Sequence, residues 1–87
     1  MEIVFMPTAI ADLKYWQKSG NTIILKRIRQ LIEAIQTDPF NGIGKPEGLR
    51  HNWTGWWSRR INEEHRIVYK FEHNIVTVYS LRYHYPQ

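Results

Sequence analysis

One amphipathic segment in the first half of this sequence limits the folds open to it more than any other feature. Its apolar side chains recur at the three- and four-residue spacing of a single helix face: Ile24, Leu25, Ile28, Leu31, Ile32 and Ile35. Asn21 can cap the start of this helix, and Asp38-Pro39 ends it near Thr37, since a residue before proline disfavours the helical conformation. Such a helix must bury its apolar face against a second layer.

The remaining sequence predicts that this second layer is a β-sheet. Ile3-Val4-Phe5 predicts an opening strand, and Thr8 can cap a first helix that runs to about Lys18. After the second helix, residues 40–55 are rich in glycine and predict a loop, with a short strand near Glu47-Gly48-Leu49. A loop of this length in a compact domain tends to mark function.

The C-terminal half predicts three strands joined by short turns, over residues 56–61, 65–71 and 75 to about 84. Short turns make such strands antiparallel neighbours. The sequence therefore predicts a single α+β domain with one N-terminal strand, two α-helices and an antiparallel β-meander. The helices should pack on one face of the sheet and leave the other face open.

Side-chain alternation determines which residues of the last two strands can meet. Arg66 and Lys70 share one face of their strand. Unless a bulge changes the register, the last strand should carry five residues on one face: Val76, Val78, Ser80, Arg82 and His84. Arg66 and His84 can face one another only if the strand pairing allows it, and the sequence leaves both outcomes open.

Composition narrows the class of partner. The chain has 87 residues and a formal net charge of +4, which fits one domain and favours anionic partners such as nucleic acid or an acidic protein. The absence of cysteine excludes disulfides and thiolate zinc sites and is compatible with a reducing cytosol. We expect no signal peptide, no membrane-spanning segment, no metal and no other cofactor.

Three side chains in the C-terminal half match the needs of metal-free RNA cleavage. A carboxylate at Glu47 can take the proton of the ribose 2′-hydroxyl, and the Arg66 guanidinium can stabilise the pentacovalent phosphorane. The imidazole of His84 can then protonate the departing 5′-oxygen. Tyr83 or Tyr85 could stack on an unpaired base or donate a hydrogen bond.

Each of these residues also has an interpretation without chemistry. Glu47 could be a solvated loop residue, and His84 could be an idle, exposed side chain near the terminus. Three arginines could be surface charges that pair with Glu63 and Glu64: Arg59, Arg60 and Arg66. Three tryptophans fit the core or an interface better than base stacking: Trp53, Trp56 and Trp57. Three histidines are expected to be structural or exposed: His51, His65 and His73.

Four separated stretches of the sequence resemble the YoeB/Txe toxins of bacterial type II toxin–antitoxin systems, which belong to the wider RelE-like group. These stretches are Gly44 to Asn52, Gly55 to Ile61, Glu63 to Tyr69 and Arg82 to Tyr85. Further similarity at residues 15–17 and 38–40 extends the resemblance over essentially the whole chain. The sequence departs from the family at Gly48, where a proline is frequent, and at Pro86-Gln87, which extend beyond the end of many relatives.

The resemblance implies a RelE-like fold and an endoribonuclease that cleaves mRNA in the ribosomal A site. It implies that Glu47 is the general base and His84 the general acid, while Arg66 stabilises the transition state and Tyr85 supports the site. We expect phosphate groups to be bound by three further cations: Lys45, Arg50 and Arg60. It further implies a cytoplasmic location and an acidic, partly disordered antitoxin of the YefM/Axe type that holds the enzyme inactive.

Oligomeric state and two other functions are left open. The same family forms dimers, for which an exposed Trp16 or Trp53 could serve as an anchor. RelE-like folds also include ParE-type toxins, which poison gyrase by binding, and a plain RNA-binding module would likewise need no catalytic groups. Neither of these functions requires Glu47, Arg66 and His84 together.

Overall fold

The structure is a computed structural model that describes residues 1–83. Its elements are β1 (Glu2–Phe5), α1 (Pro7–Lys18), α2 (Thr22–Thr37), β2 (Glu47–Gly48), a 3₁₀ turn (His51–Trp53), β3 (Trp57–Arg60), β4 (Arg66–Glu72) and β5 (Ile75–Ser80). The strands form one five-stranded sheet in the order β1-β5-β4-β3-β2. Neighbouring strands are antiparallel except β1, which pairs in parallel with β5. The predicted α+β arrangement is confirmed.

Helix α2 has the boundaries that the sequence predicts. The Asn21 side-chain oxygen accepts a hydrogen bond from the Ile24 amide at 3.1 Å, which satisfies one of the unpaired donors at the helix start. The helix ends at Thr37, directly before Asp38-Pro39. Within residues 1–83, neither helix has the length and apolar character needed to cross a membrane.

Helix α1 begins differently from the prediction. Pro7 occupies the first helical position, where its missing N–H costs nothing, and Thr8 lies inside the helix rather than at its cap. The Thr8 hydroxyl instead donates a hydrogen bond to the Tyr79 carbonyl oxygen of β5. This contact attaches the start of α1 to the sheet.

The core lies between the two helices and one face of the sheet. Its largest fully buried apolar side chains come from α2, β4, β5 and the residue after β5: Leu31, Ile35, Ile67, Tyr69, Val76, Val78 and Leu81. Burial of each large apolar side chain contributes about 1.5–3 kcal/mol, which holds the apolar faces of the helices on the sheet. Trp16 belongs to this core, with only 5% of its surface exposed, so its expected role as an exposed dimer anchor is wrong.

A bulge in β5 changes which residues face the core near the end of the sheet. The pairing of β4 with β5 skips Tyr79. Val78 before the bulge and Leu81 after it both lie in the core, whereas a regular strand would place them on opposite faces. The predicted alternation therefore fails after Val78, and β5 ends at Ser80 rather than at about His84.

The side chain of Arg59 is fully buried, so its interpretation as a surface charge is wrong. Its guanidinium donates to three carbonyl oxygens of the loop after α2: Asp38 at 2.6 Å, Asn41 at 3.0 Å and Ile43 at 3.2 Å. It also donates to the Tyr69 hydroxyl at 3.1 Å. These bonds fasten the loop that leads to β2 onto the centre of the sheet.

Tyr69 completes this network, and its burial changes the pKa of its phenol. Its hydroxyl donates to the Pro39 carbonyl oxygen at 2.7 Å. Burial raises the pKa of the Tyr69 phenol, and this effect outweighs the opposing hydrogen bond and charge of Arg59. The phenol therefore stays protonated in the folded protein at a pH where an unfolded chain would release the proton.

We expect Arg59→Lys to lower the free energy of unfolding by at least about 3 kcal/mol, because several buried oxygens would lose charge-assisted hydrogen bonds that one ammonium group cannot replace. Urea unfolding monitored by tryptophan fluorescence measures this change. The matched control is Arg29→Lys, which alters an exposed arginine of α2 and should leave the stability within about 0.5 kcal/mol of the parent. Equal stability of the two variants would contradict this role for Arg59.

The raised pKa of Tyr69 predicts a loss of stability in alkaline solution. The contribution is fully present below the ordinary tyrosine pKa of about 10 and is lost as the pH rises from there towards the higher pKa of the folded state, because only the unfolded chain ionises in that window. Urea unfolding at a series of pH values should show this decline in the parent protein. Tyr69→Phe should show a smaller decline, and identical pH dependence of the two proteins would refute the assignment.

Candidate active site

The sheet face opposite the helices carries a row of residues that crosses four strands. The register aligns Glu47 on β2 with Ser58 on β3, Ser58 with Val68 on β4, and Val68 with Ser80 on β5. The two neighbours of Val68 along β4 both belong to the core, so the aligned row points away from the helices. We call this surface the open face because no helix within residues 1–83 covers it, although Ser58, Val68 and Ser80 are buried and only Glu47 of this row is exposed.

A second row on the open face consists of two arginines. Arg60 of β3 is aligned with Arg66 of β4. Each lies two residues along its strand from the first row, which places both on the same face as Glu47. The strand register thus brings the predicted base, the predicted transition-state cation and a predicted phosphate ligand onto one surface.

A tight turn brings the chain to Glu47, which is exposed on the edge strand β2. Gly44 and Lys45 adopt left-handed φ angles of 85° and 53°. A Cβ on Gly44 would lie 2.8 Å from the side chain of Leu31, so only glycine fits where the loop passes α2. The Gly44 carbonyl accepts a hydrogen bond from the Arg60 amide at 2.7 Å, which fixes the loop against β3.

Arg66 folds back over the turn between β3 and β4. Its Nη1 donates to the carbonyl oxygens of Asn62 at 2.8 Å, Glu63 at 3.2 Å and His65 at 3.1 Å. Within residues 1–83, its Nε and Nη2 make no hydrogen bond, so these donors can be offered to an anion. The turn thus orients the guanidinium through its backbone rather than through a carboxylate.

The predicted phosphate-binding cations lie around β2 and β3. Lys45 and Arg50 are exposed, and Arg60 is half-buried. In the part of the chain that the structure describes, neither Arg60 nor Arg66 forms an ion pair with the acidic β3–β4 turn. The predicted pairing of Arg60 and Arg66 with Glu63 and Glu64 is therefore wrong, although both arginines are partly exposed.

The chain after β5 is held from the helix side of the sheet. The Leu81 amide donates to the Asp12 carboxylate at 2.9 Å, and the Leu81 carbonyl accepts from the Trp16 indole at 2.9 Å. The Tyr83 amide donates to His65 Nδ1 at 2.8 Å. No local pattern indicates Asp12 or His65 as partners of this segment, since each contact joins residues far apart in the chain.

The segment also contacts the start of β4. The Arg66 amide donates to the Tyr83 carbonyl oxygen at 2.9 Å, so the chain passes Arg66 immediately before His84. His84 and Tyr85 lie outside the described residues. Their roles as acid and supporting phenol therefore stay predictions.

The tryptophans divide between the two faces. Trp57 packs against the core and contacts Phe40, with ring centroids 5.0 Å apart. Trp53 and Trp56 form an edge-to-face cluster with Tyr79, and Lys70 Nζ lies 5.1 Å from the Trp56 ring centroid. Lys70 belongs to the open face, so this half-buried cluster borders the rows described above.

No group of three or more histidine, aspartate or glutamate side chains in residues 1–83 is arranged to hold a metal ion. The open face carries the carboxylate of Glu47 and the guanidinium groups of Arg60 and Arg66. A carboxylate can accept a proton, and guanidinium groups can bind and stabilise a phosphate.

Comparison with known proteins gives consistent matches. Residues 5–85 match the family described as the YoeB-like toxin of bacterial type II toxin-antitoxin system. Toxin YoeB of Synechocystis is 47% identical over 87 residues, with 100% of both chains covered. A YoeB/ParE toxin from Agrobacterium tumefaciens superposes with a TM-score of 0.91 at 36% identity, covering 98% of this chain and 100% of that one.

The YoeB toxin of Staphylococcus aureus is similarly close in structure. Its dimer gives a TM-score of 0.89 at 43% identity, with 98% of each chain covered. The toxin in a YoeB-YefM complex gives a TM-score of 0.88 at 44% identity, again with 98% of each chain covered. The RelE-like fold expected from the sequence is confirmed by these structures.

Proposed function

Because the chain belongs to the YoeB-like toxins of bacterial type II toxin–antitoxin systems, we propose that it is an endoribonuclease that cleaves mRNA in the ribosomal A site by metal-independent acid–base catalysis. The observation that carries the proposal is the open face, where the carboxylate of Glu47 and the guanidinium groups of Arg60 and Arg66 share one surface. A gyrase-binding or RNA-binding protein would not need this combination.

The spacing of these groups suits a phosphodiester. Strands β2 and β4 are separated by β3, and Arg66 lies one two-residue step along from Glu47, so their Cα atoms are roughly 12 Å apart. Two long side chains extending from such positions leave room for a ribose and its 3′-phosphate between them. Glu47 can therefore act on the ribose 2′-hydroxyl while Arg66 contacts the 3′-phosphate.

The reaction uses the nucleophile that RNA carries. Glu47 takes the proton of the 2′-hydroxyl, and the oxygen attacks the adjacent phosphorus to form a pentacovalent phosphorane. The Nε and Nη2 donors of Arg66 stabilise the charge on its equatorial oxygens. The bond to the 5′-oxygen then breaks, His84 donates a proton to that oxygen, and the products are a 2′,3′-cyclic phosphate and a free 5′-hydroxyl.

Two features support the placement of His84 and Tyr85 in this scheme. Both residues follow Tyr83 in the chain, and the Tyr83 carbonyl is bonded to the Arg66 amide. The last described residue thus lies beside Arg66, which supports the assignment of the next residue along the chain, His84, as the acid of the proposed scheme. Tyr85 is assigned a supporting role, as a hydrogen-bond donor or a stacking surface.

The surrounding cations bind the RNA and, through it, the ribosomal complex. Lys45, Arg50 and Arg60 supply exposed or half-exposed positive charge around Glu47, and the chain as a whole carries a net charge of +4. Contacts of this kind attract the phosphate backbone without reading its sequence. Action on translating ribosomes would require a cytoplasmic location, which we include in the proposal.

The same surface would be the target of an antitoxin. The related Staphylococcus aureus toxin has been solved in a YoeB-YefM complex and as a YoeB dimer. We infer an acidic YefM/Axe-type partner for this chain, because a basic open face attracts an acidic, partly disordered segment. For a homodimer, the half-buried Trp53 remains a candidate contact, whereas Trp16 is in the core.

Replacing the proposed base should abolish most cleavage. Glu47→Gln keeps the size of an exposed side chain but cannot accept the proton, so we expect cleavage to fall by about 100- to 10,000-fold. Primer extension on mRNA in a translating extract measures the cleaved product. The matched control is Glu33→Gln on the exposed side of α2, which should cleave like the parent. Intact mRNA with the parent protein would instead favour a ParE-type or purely binding function.

Replacing Arg66, the proposed transition-state cation, by lysine should show whether catalysis needs only a positive charge or also the paired donors of the guanidinium. Arg66→Lys keeps the positive charge but loses the two adjacent donors, so we expect kcat to fall by about 100- to 1,000-fold with little change in KM. Single-turnover cleavage on programmed ribosomes measures both quantities. Arg29→Lys, on α2, is the control for a charge-conserving change. A large rise in KM at unchanged kcat would show that Arg66 binds substrate without acting on the transition state.

A further inference from the structure

We propose that His65 is a positioning residue of this site, which holds the Tyr83 backbone in a strained conformation beside Arg66 and is needed for full RNA cleavage. The proposal rests on the proposed function for its catalytic consequence. The contact between the two residues is observed directly: His65 Nδ1 accepts a hydrogen bond from the Tyr83 amide at 2.8 Å. Nothing in the expected chemistry of the site uses this histidine.

His65 is fixed from several sides. Its ring is buried, with 6% of the residue exposed, and packs edge-to-face on Trp16 with centroids 4.8 Å apart. Its amide donates to the Asn62 side chain at 2.8 Å, and its carbonyl accepts from the Ile61 amide at 2.9 Å. These contacts restrict the rotation of the imidazole ring and so fix the position of Nδ1.

The hydrogen bond also fixes the chemical form of the imidazole. Because Nδ1 accepts an N–H, the ring proton lies on Nε2, which faces Glu64 Oε1 at 3.4 Å. Glu64 therefore favours the tautomer that leaves Nδ1 unprotonated. His65 and Glu64 line a cleft of about 340 Å³. Its other lining residues include the charged Arg82 and, from α1, Tyr15 and Trp16.

Tyr83 is the residue that needs this support. Its φ of 61° lies in the left-handed region, which is unfavourable for a residue with a Cβ. Its amide is bonded to His65 and its carbonyl to the Arg66 amide, so two consecutive residues hold both sides of the strained unit. Without the His65 bond, the Tyr83 backbone can relax to a negative φ and lose its fixed position beside Arg66.

The side chain of Tyr83 does not replace this restraint. Its hydroxyl accepts a hydrogen bond from Arg82 Nη2 at 2.7 Å, and the Arg82 guanidinium lies 4.6 Å from its ring centroid and 3.6 Å from that of Tyr15. These contacts join the half-buried Arg82 to the exposed rings of Tyr83 and Tyr15. They hold the ring in place but leave the backbone torsion to the two amide hydrogen bonds.

The test compares two amide substitutions of His65 that differ in where they place an oxygen. His65→Asn puts its Oδ1 at the position of Nδ1 and should keep the bond to Tyr83, whereas His65→Gln carries its oxygen one bond farther out, towards Glu64. We expect kcat for mRNA cleavage to fall about tenfold or more in His65→Gln, with KM unchanged, and to stay within about threefold of the parent in His65→Asn. His73→Asn, in the exposed β4–β5 turn, is the control and should behave like the parent.

Hydrogen exchange of the Tyr83 amide, measured by NMR on the same proteins, separates this proposal from the proposed function. The amide should be protected in the parent and in His65→Asn and should exchange rapidly in His65→Gln. Equal protection in all three proteins would overturn the proposal, as would equal loss of kcat in the two variants. If the parent cleaves no RNA, the proposed function fails, and the exchange rates alone still decide whether His65 restrains Tyr83.

Discussion

The buried guanidinium of Arg59 is the interaction on which the arrangement of the open face depends. Moving a cation out of water costs several kcal/mol unless its donors find partners. Here they meet carbonyl oxygens of the loop after α2 and the hydroxyl of Tyr69. The loop, residues 38–46, has no regular secondary structure, and its carbonyl oxygens are instead held by hydrogen bonds from the Arg59 guanidinium. This loop leads directly to β2, which carries Glu47. The buried Arg59 on the other face of the sheet therefore helps to set the position of Glu47.

The other side of the site is organised in a comparable way. The chain after β5 would fray at its end without support, but Asp12, Trp16 and His65 bond its backbone from the helix layer and from the β3–β4 turn. The core therefore positions both the loop that carries Glu47 and the segment that leads to His84. The open face carries the proposed functional side chains, whereas most hydrogen bonds that hold their backbone in position come from Arg59, the helix layer and the β3–β4 turn.

This division explains how one fold can serve toxins with different targets. The helices, the core and the two sets of backbone anchors form a scaffold, and the residues exposed on the opposite face determine the chemistry. In this chain that face carries a carboxylate, two aligned arginines and a half-buried aromatic cluster beside a lysine. The proposed RNA substrate accords with this combination, since a carboxylate, guanidinium groups and aromatic rings can contact ribose, phosphate and bases respectively.

The sequence by itself determined the elements of the fold, because helix and strand periodicity, the Asn21 cap and the break at Asp38-Pro39 are local signals. It also predicted Glu47, Arg60 and Arg66 as site residues through a resemblance over the whole chain, and the strand register places these three on one surface. It failed for Arg59, for the bulge at Tyr79 and for the partners of residues 81–83. Only the tertiary structure decided these, because each depends on oxygens, amides or strand registers that are distant in the chain and become neighbours only when the layers pack.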